Sequence, residues 1–295
     1  MKNRTVSLVL GSGGARGLAH IGVIRWLEAN GFVIKSVSGA SMGALVGGIY
    51  AAGKLDEYAE WVSTVSKMDV FKLLDLSLSK DGLVKGDRII ETLKEFIGEW
   101  EIEKLPVRFT AVAADIEEEK EIWITEGSLF EAIRASISIP MFFTPYELNE
   151  RLMIDGGVLN PVPIAPTFQD FTDITIAVNL AGDEDPTLDL EAIKEEVPEG
   201  ASKWRDKIVQ FIENLNPMKS KDEELEWSAY DIASHSIDMM QGTIARQKLA
   251  AYPPDYLVEI PRNACGMLEF DLSDKMIALG VTLAQEQLGH LVKET

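Results

Sequence analysis

Val33-Ile34-Lys35-Ser36-Val37-Ser38-Gly39-Ala40-Ser41-Met42-Gly43-Ala44-Leu45 passes from a β-branched run, through a Gly/Ser turn, into an alanine- and glycine-rich stretch reaching about Ala52. The first part predicts a short buried strand over Val33–Val37 and the last part a helix. Between them Gly39-Ala40-Ser41-Met42-Gly43 fits G-x-S-x-G, the pattern of a nucleophile held on a sharp strand-to-helix turn. Such a turn folds the backbone onto itself, and Gly39 and Gly43 supply the missing side chains on either side. The helix that follows directs its first N–H groups and positive dipole end toward the serine oxygen, which favours alkoxide and oxyanion character.

Upstream, Val6–Leu10 reads as a strand ending in Gly11-Ser12-Gly13-Gly14-Ala15-Arg16-Gly17. A helix carrying Leu18, Ile21, Ile24, Trp26 and Leu27 then runs to the stop signal Asn30-Gly31. The resulting β-loop-α-β-turn-α order predicts an α/β fold with a mostly parallel sheet and helices on its faces. Further strands are expected at Arg108–Asp115, Glu121–Thr125, Arg151–Ile154, Ile174–Leu180 and Tyr256–Ile260, and helices at Tyr58–Ser66, Arg88–Glu99 and Leu129–Ala135.

The glycine loop does not fit a nucleotide. A dinucleotide fingerprint needs G-x-G-x-x-G and a carboxylate after the second strand. Counting from Gly11 and Gly13, the third position is Arg16, and the second strand ends in Ser38-Gly39. No Gly-Lys-Ser/Thr follows for a phosphate loop. The unencumbered N–H groups of Gly13 and Gly14 suit an oxyanion hole instead, where one preorganised donor contributes about 3–4 kcal/mol in the transition state. Arg16 either braces this loop or receives an anionic head group.

A serine nucleophile needs a base, and the chain has three histidines, His20, His235 and His290. The order Ser41, Asp155, His235 is compatible with a triad, but only two strands precede Ser41, fewer than α/β-hydrolases place there. Asp155 itself follows the apolar Leu152-Met153-Ile154 and precedes Gly156-Gly157, at the carboxyl end of a predicted strand, where active sites of parallel sheets collect. Direct activation of Ser41 by Asp155 is the preferred reading and the triad the alternative.

The 295 residues carry a formal net charge of −20, which argues against a nucleic-acid partner. No apolar run reaches the ~18 residues of a membrane span. Met1–Thr5 leads directly into a strand without a signal-peptide core, so a cytoplasmic protein is expected, with at most transient peripheral contact with a membrane. Cys265 stands alone and forms no intrachain disulfide. Asp183–Glu226 holds 14 acidic and 6 basic residues, and within it Trp204, Ile208, Phe211, Ile212 and Leu215 share one helical face. A packed surface helix is favoured there over a lid. No domain boundary stands out, and residues 1–295 are taken as one domain with a motif-bearing core over about 6–180. The oligomeric state is left open.

Taken together, Gly11–Gly17, Gly39–Gly43 and Asp155-Gly156-Gly157 resemble the three motifs of the patatin-like phospholipases. Arg134-Ala135-Ser136-Ile137-Ser138-Ile139-Pro140 and Gly156-Gly157-Val158-Leu159-Asn160-Pro161-Val162 resemble the family pattern as well, over a span of about Val6–Leu180. The layout is most similar to bacterial single-domain members; Ser12 stands where plant patatins carry glycine. The resemblance implies a patatin-type three-layer α/β/α sandwich and hydrolysis of fatty-acyl esters of lipids, with no cofactor and no metal. It implies a catalytic dyad of Ser41 and Asp155 and an oxyanion hole from the amides of Gly13, Gly14 and Met42. Gly11, Arg16, Gly17, Gly39, Gly43, Gly156 and Gly157 support these motifs. Met141, Phe142, Phe143 and Tyr146 either line the acyl channel or belong to the core. The rival readings are a carboxylesterase or thioesterase for non-lipid substrates on the same site, and a non-catalytic lipid-binding protein that keeps the fold.

Overall fold

The computed structural model describes residues 4–65, 69, 84–190, 192–193 and 229–293. Its strands are β1 (Thr5–Leu10), β2 (Val33–Ala40), β3 (Arg108–Asp115), β4 (Lys120–Ile124), β5 (Tyr146–Leu148), β6 (Arg151–Asp155), β7 (Ile174–Gly182) and β8 (Tyr256–Pro261). The helices that matter here are α1 (Ala19–Ala29), α2 (Met42–Ala51), α3 (Leu55–Val62), α4 (Asp87–Ile97), α5 (Leu129–Ser136), α6 (Ala229–Ala251) and α7 (Ser273–Leu288). Of the predicted 183–226 stretch, Trp204, Ile208, Phe211, Ile212 and Leu215 lie outside the described residues.

The eight strands form one sheet with hydrogen-bonded order β5-β6-β3-β2-β1-β7-β8, β4 pairing with β3 as well. The run β8-β7-β1-β2-β3 is parallel throughout, and antiparallel pairing is confined to β4, β5 and β6. β1 shows why the sheet sits inside the molecule. Its side chains alternate, as any strand's do, yet both sets are buried. Val6, Leu8 and Leu10 pack with residues of α1, α2 and α7. Val9 points to the opposite face and packs with Val162, Ile164, Ala177 and, from α6, Ala245. Helices on both faces make the three-layer α/β/α arrangement that the sequence order anticipates.

β2 runs three residues further than its β-branched stretch suggests. Ser38, Gly39 and Ala40 continue the ladder opposite Thr110, Ala111 and Val112, so the turn into α2 consists of Ser41 alone. The three-residue β5, absent from the sequence reading, is joined to β6 by a two-residue hairpin whose central residues, Asn149 and Glu150, have φ of 51° and 62°. Two positive φ values in a two-residue loop match the twist of the flanking strands and fix their register.

The pairing of β3 positions the site. β2 occupies β3 at Arg108–Val112, β4 at Ala111–Asp115 and β6 at Ala113–Asp115. A strand has only two edges, and β4 overlaps both of the others, so β2 and β6 share the opposite edge. They approach along it from opposite directions. Ala40, the last residue of β2, pairs with Val112, and Asp155, the last residue of β6, pairs with the next residue, Ala113.

Candidate active site

Ser41 is buried, and its backbone holds φ 56° and ψ −125°, a region that side chains rarely occupy. Strain of this kind costs on the order of 1–3 kcal/mol and persists only where surroundings enforce it. The enforcement is visible. The Ser41 N–H donates to Ser136 Oγ at 2.9 Å, and that hydroxyl donates to the Val112 carbonyl at 2.6 Å, tying the turn to β3. The backbones crowd so closely that a Cβ on Gly39 would lie 2.2 Å from the Gly43 carbonyl oxygen, and one on Gly43 2.0 Å from the Leu10 oxygen. Gly11, Gly17, Gly156 and Gly157 occupy similar close approaches, the last against Ser12.

Asp155 is as buried as Ser41. Its N–H donates to the Ser138 carbonyl at 2.9 Å, and its Oδ1 accepts the Gly157 amide at 2.7 Å. Oδ2 is buried and has no hydrogen bond of ordinary geometry. Burial pushes the carboxyl up to about 7; the nearby Ser41 hydroxyl and the Gly157 amide, both favouring the charged form, oppose this only in part. The group is thus poised to exchange a proton near neutral pH.

The glycine loop is pinned at both ends and at its centre. The amides of Gly11, Ser12 and Ala15 donate to the carbonyls of Val178, Pro161 and Met267. His20 is fully buried, and its Nε2 bonds the Gly11 carbonyl at 2.9 Å; as the partner is a carbonyl, Nε2 carries the proton. Burial lowers His20 to about 4, against the effect of that bond, so the imidazole is neutral. Arg16 is buried and braces the loop: Nε donates to the Gly13 carbonyl at 3.1 Å, and the rest of its guanidinium turns to Arg262 and Asp238. Among the described residues, the amides of Gly13 and Gly14 have no hydrogen-bond partner. Gly14 has φ +58°, and a Cβ there would lie 2.6 Å from Met267. The amide of Met42, first residue of α2, is also free of intrahelical pairing.

Ser41, Met42 and Gly14 open onto a cleft that is continuous with solvent. Its walls are almost wholly apolar: Tyr58, Trp61 and Val62 from α3, Ile89 and Leu93 from α4, and Ile137, Ile139, Phe142 and Phe143 from the segment after α5. Arg134 stiffens that segment by bonding Ser138 Oγ at 2.7 Å, the Thr144 carbonyl at 3.2 Å and the Lys85 carbonyl. Phe142 and Phe143 are therefore lining residues, whereas Met141 is exposed with φ 70° and Tyr146 lies in β5 against the Arg134 guanidinium. Trp61, Leu93, Met267 and Phe270 come from segments that carry no motif; only the amphipathic patterns of α3 and α4 hinted at an apolar wall.

No histidine lines this cleft among the described residues. His235 is exposed on α6, and His290 packs its ring 5.9 Å from that of Tyr256. Cys265 is buried, and burial pushes its thiol up to about 12, where it is a poor nucleophile. Among the described residues no three His, Cys, Asp or Glu side chains converge as a metal site would need.

The family model for patatin-like phospholipases matches residues 8–168. The chain is similar to an uncharacterized NTE family protein of Mycobacterium bovis, with 35% identity over 333 aligned positions covering 96% of this chain and 91% of that protein. It is 28% identical to a lysophospholipase, NTE1, of Yarrowia lipolytica over 195 positions, 63% of this chain and 13% of that protein. Among solved structures, VipD from Legionella pneumophila aligns over 100% of this chain and 67% of that chain, at a TM-score of 0.45 and 14% identity.

Proposed function

The chain belongs to the patatin-like phospholipase family, and from that premise we propose that it cleaves fatty-acyl esters of lipids through a Ser41–Asp155 dyad. The observation that carries the dyad is the shared edge of β3, on which the ends of β2 and β6 meet at adjacent residues, Val112 and Ala113. The carboxylate oxygen left without a partner is the proton acceptor.

Asp155 takes the Ser41 hydroxyl proton as the oxygen attacks the ester carbonyl carbon. The carbonyl electrons move onto oxygen, and the amides of Gly13, Gly14 and Met42 stabilise that charge. Collapse breaks the ester C–O bond, Asp155 returns its proton to the departing alcohol, and the acyl group stays on Ser41. Water then gives its proton to Asp155 and attacks the acyl-enzyme. The second collapse frees the fatty acid and restores the serine hydroxyl. A carboxyl raised to about 7 is better matched to these transfers at neutral pH than one near 4.

The apolar cleft beside Ser41 supports a lipid substrate, since each methylene it removes from water contributes about 0.8 kcal/mol. Among the described residues no helix is long and apolar enough to cross a membrane. In this reading residues 1–295 act as one cytoplasmic hydrolase domain that meets lipid by transient peripheral contact.

The test is a panel of nitrophenyl esters and phospholipids, with labelling by a fluorophosphonate. Ser41→Ala is expected to abolish turnover and labelling, Asp155→Ala to abolish turnover, and His235→Ala to leave turnover unchanged. Turnover that rises from short to long acyl chains supports the lipid substrate; turnover confined to water-soluble esters points to the non-lipid esterase. A folded but inactive His235→Ala protein overturns the dyad.

A further inference from the structure

We propose that α6 positions the oxyanion donors, with Asp238 acting through Arg16 on the peptide between Gly13 and Gly14. The inference rests on the oxyanion reading above and extends it to a helix beyond residues 8–168, the part matched by the family model.

A trans peptide holds its C=O and its N–H on opposite edges of one plane, and the described chain has no cis peptide. Arg16 Nε bonds the Gly13 carbonyl. By pulling that oxygen to its own side, Arg16 turns the Gly14 N–H of the same plane the other way, and Gly14 lines the cleft with Ser41. Two adjacent glycines give this plane little intrinsic preference, so an external restraint decides its orientation.

The restraint is only as firm as Arg16. Its remaining donors reach 246 and 222 residues along the chain, to the Arg262 carbonyl at 2.9 Å and to both carboxylate oxygens of Asp238 at 3.1 and 3.4 Å. A second contact comes from the same face of α6, three residues on, where Gln241 Oε1 accepts a long, 3.5 Å bond from Ser12 Oγ. The helix thus holds the glycine loop at two points on either side of Gly13. Arg16 is buried, whereas the Asp238 side chain is about one-third exposed, so Asp238 can be changed with little disturbance to the core.

The experiment measures kcat and KM of the full-length protein on a water-soluble nitrophenyl ester, with melting temperature as the folding control. Removing an oxyanion donor outright costs on the order of 100- to 1000-fold in kcat; Asp238→Ala, which loosens one, is expected to lose roughly 10- to 100-fold. KM should stay within about twofold, because the lost interaction belongs to the transition state. Asp238→Glu should recover most of the rate. The double variant Arg16→Ala/Asp238→Ala should be no slower than Arg16→Ala, since both changes act on one link. If Arg16→Ala does not fold, Arg16→Lys takes its place, because an ammonium cannot grip all three partner residues in the geometry of the guanidinium. Unchanged kcat in Asp238→Ala, a rise in KM at constant kcat, or multiplicative losses in the double variant each overturn the proposal while leaving an active wild type intact. A wild type that neither turns over ester nor reacts with fluorophosphonate overturns the dyad reading, and this inference with it.

Discussion

Two buried aspartates close neighbouring strands of the sheet, and their surroundings differ in one respect that matters. Asp115 ends β3 with its polar atoms well occupied: Oδ1 accepts the amides of Glu117 and Glu118 at 3.0 Å, and Oδ2 pairs with Arg151 at 3.5 Å. Asp155 ends β6 with one amide on Oδ1 and nothing of ordinary geometry on Oδ2, next to a serine in a strained backbone conformation. The first region is arranged for stability. The second gives up stability at two adjacent residues, the usual mark of a reactive site.

Replacing each aspartate by asparagine puts this contrast to the sharpest test. Asp155→Asn removes the proposed base and should lower kcat by about 10³- to 10⁴-fold, as loss of one member of a catalytic unit does, while Asp115→Asn should stay within about fivefold of wild type. Steady-state kinetics of the two variants decides. Equal losses would mean that Asp155 is no more special than its neighbour.

The second effect concerns pH. With the Asp155 carboxyl raised from 3.8 to about 7, the folded state keeps a proton that the unfolded chain releases between those values. Folding stability from this group therefore falls as pH rises from about 4 to about 7, then levels off, by at most about 4 kcal/mol at 1.36 kcal/mol per unit. Over the same window kcat/KM should rise, as the deprotonated base accumulates. Urea melts and kinetics across pH 4–9 should show opposed trends in wild type and no such step in Asp155→Asn.

Smaller effects fall on the stabilising side of the comparison and on the strained turn. Asp115→Asn loses the Arg151 pair and weakens two amide bonds, about 1–2 kcal/mol in all, because Arg151 is partly exposed and ion pairs of that kind contribute little. Ser41→Gly relieves an unfavourable φ and should stabilise by about 1 kcal/mol, raising Tm by about 2–4 °C while abolishing turnover. A lower Tm in Ser41→Gly would show that the side chain stabilises its turn.

Much of the site's local structure is legible in the sequence. The elbow and the glycine loop are local, set by residues within a few positions of one another, and Asp155 is marked by the strand before it and the glycines after it. What stayed hidden is non-local. Nothing near Arg16 in the sequence points to Asp238 or Arg262 as its partners, so a brace and a head-group receptor looked alike. In the sequence Met141 and Tyr146 are equivalent to Phe142 and Phe143; in the fold Met141 is exposed at a positive φ, and Tyr146 lies in β5 against the Arg134 guanidinium. That strand is too short to show a period-two pattern, and β2 outran its β-branched stretch because the ladder with β3 carries on through Ser38-Gly39-Ala40.

The pairing of β6 with β3 has a consequence for how such a site can change over generations. Asp155 is carried by β6, whose position along β3 can change only in steps of the backbone repeat. A shift of one residue would send the carboxylate to the other face of the sheet, and a shift of two would restore the face but displace it by about 7 Å. The separation of Ser41 and Asp155 is therefore quantised. Insertions and deletions that preserve the register of β6 on β3 keep the proposed dyad in place, and those that shift it part the two residues in a single step.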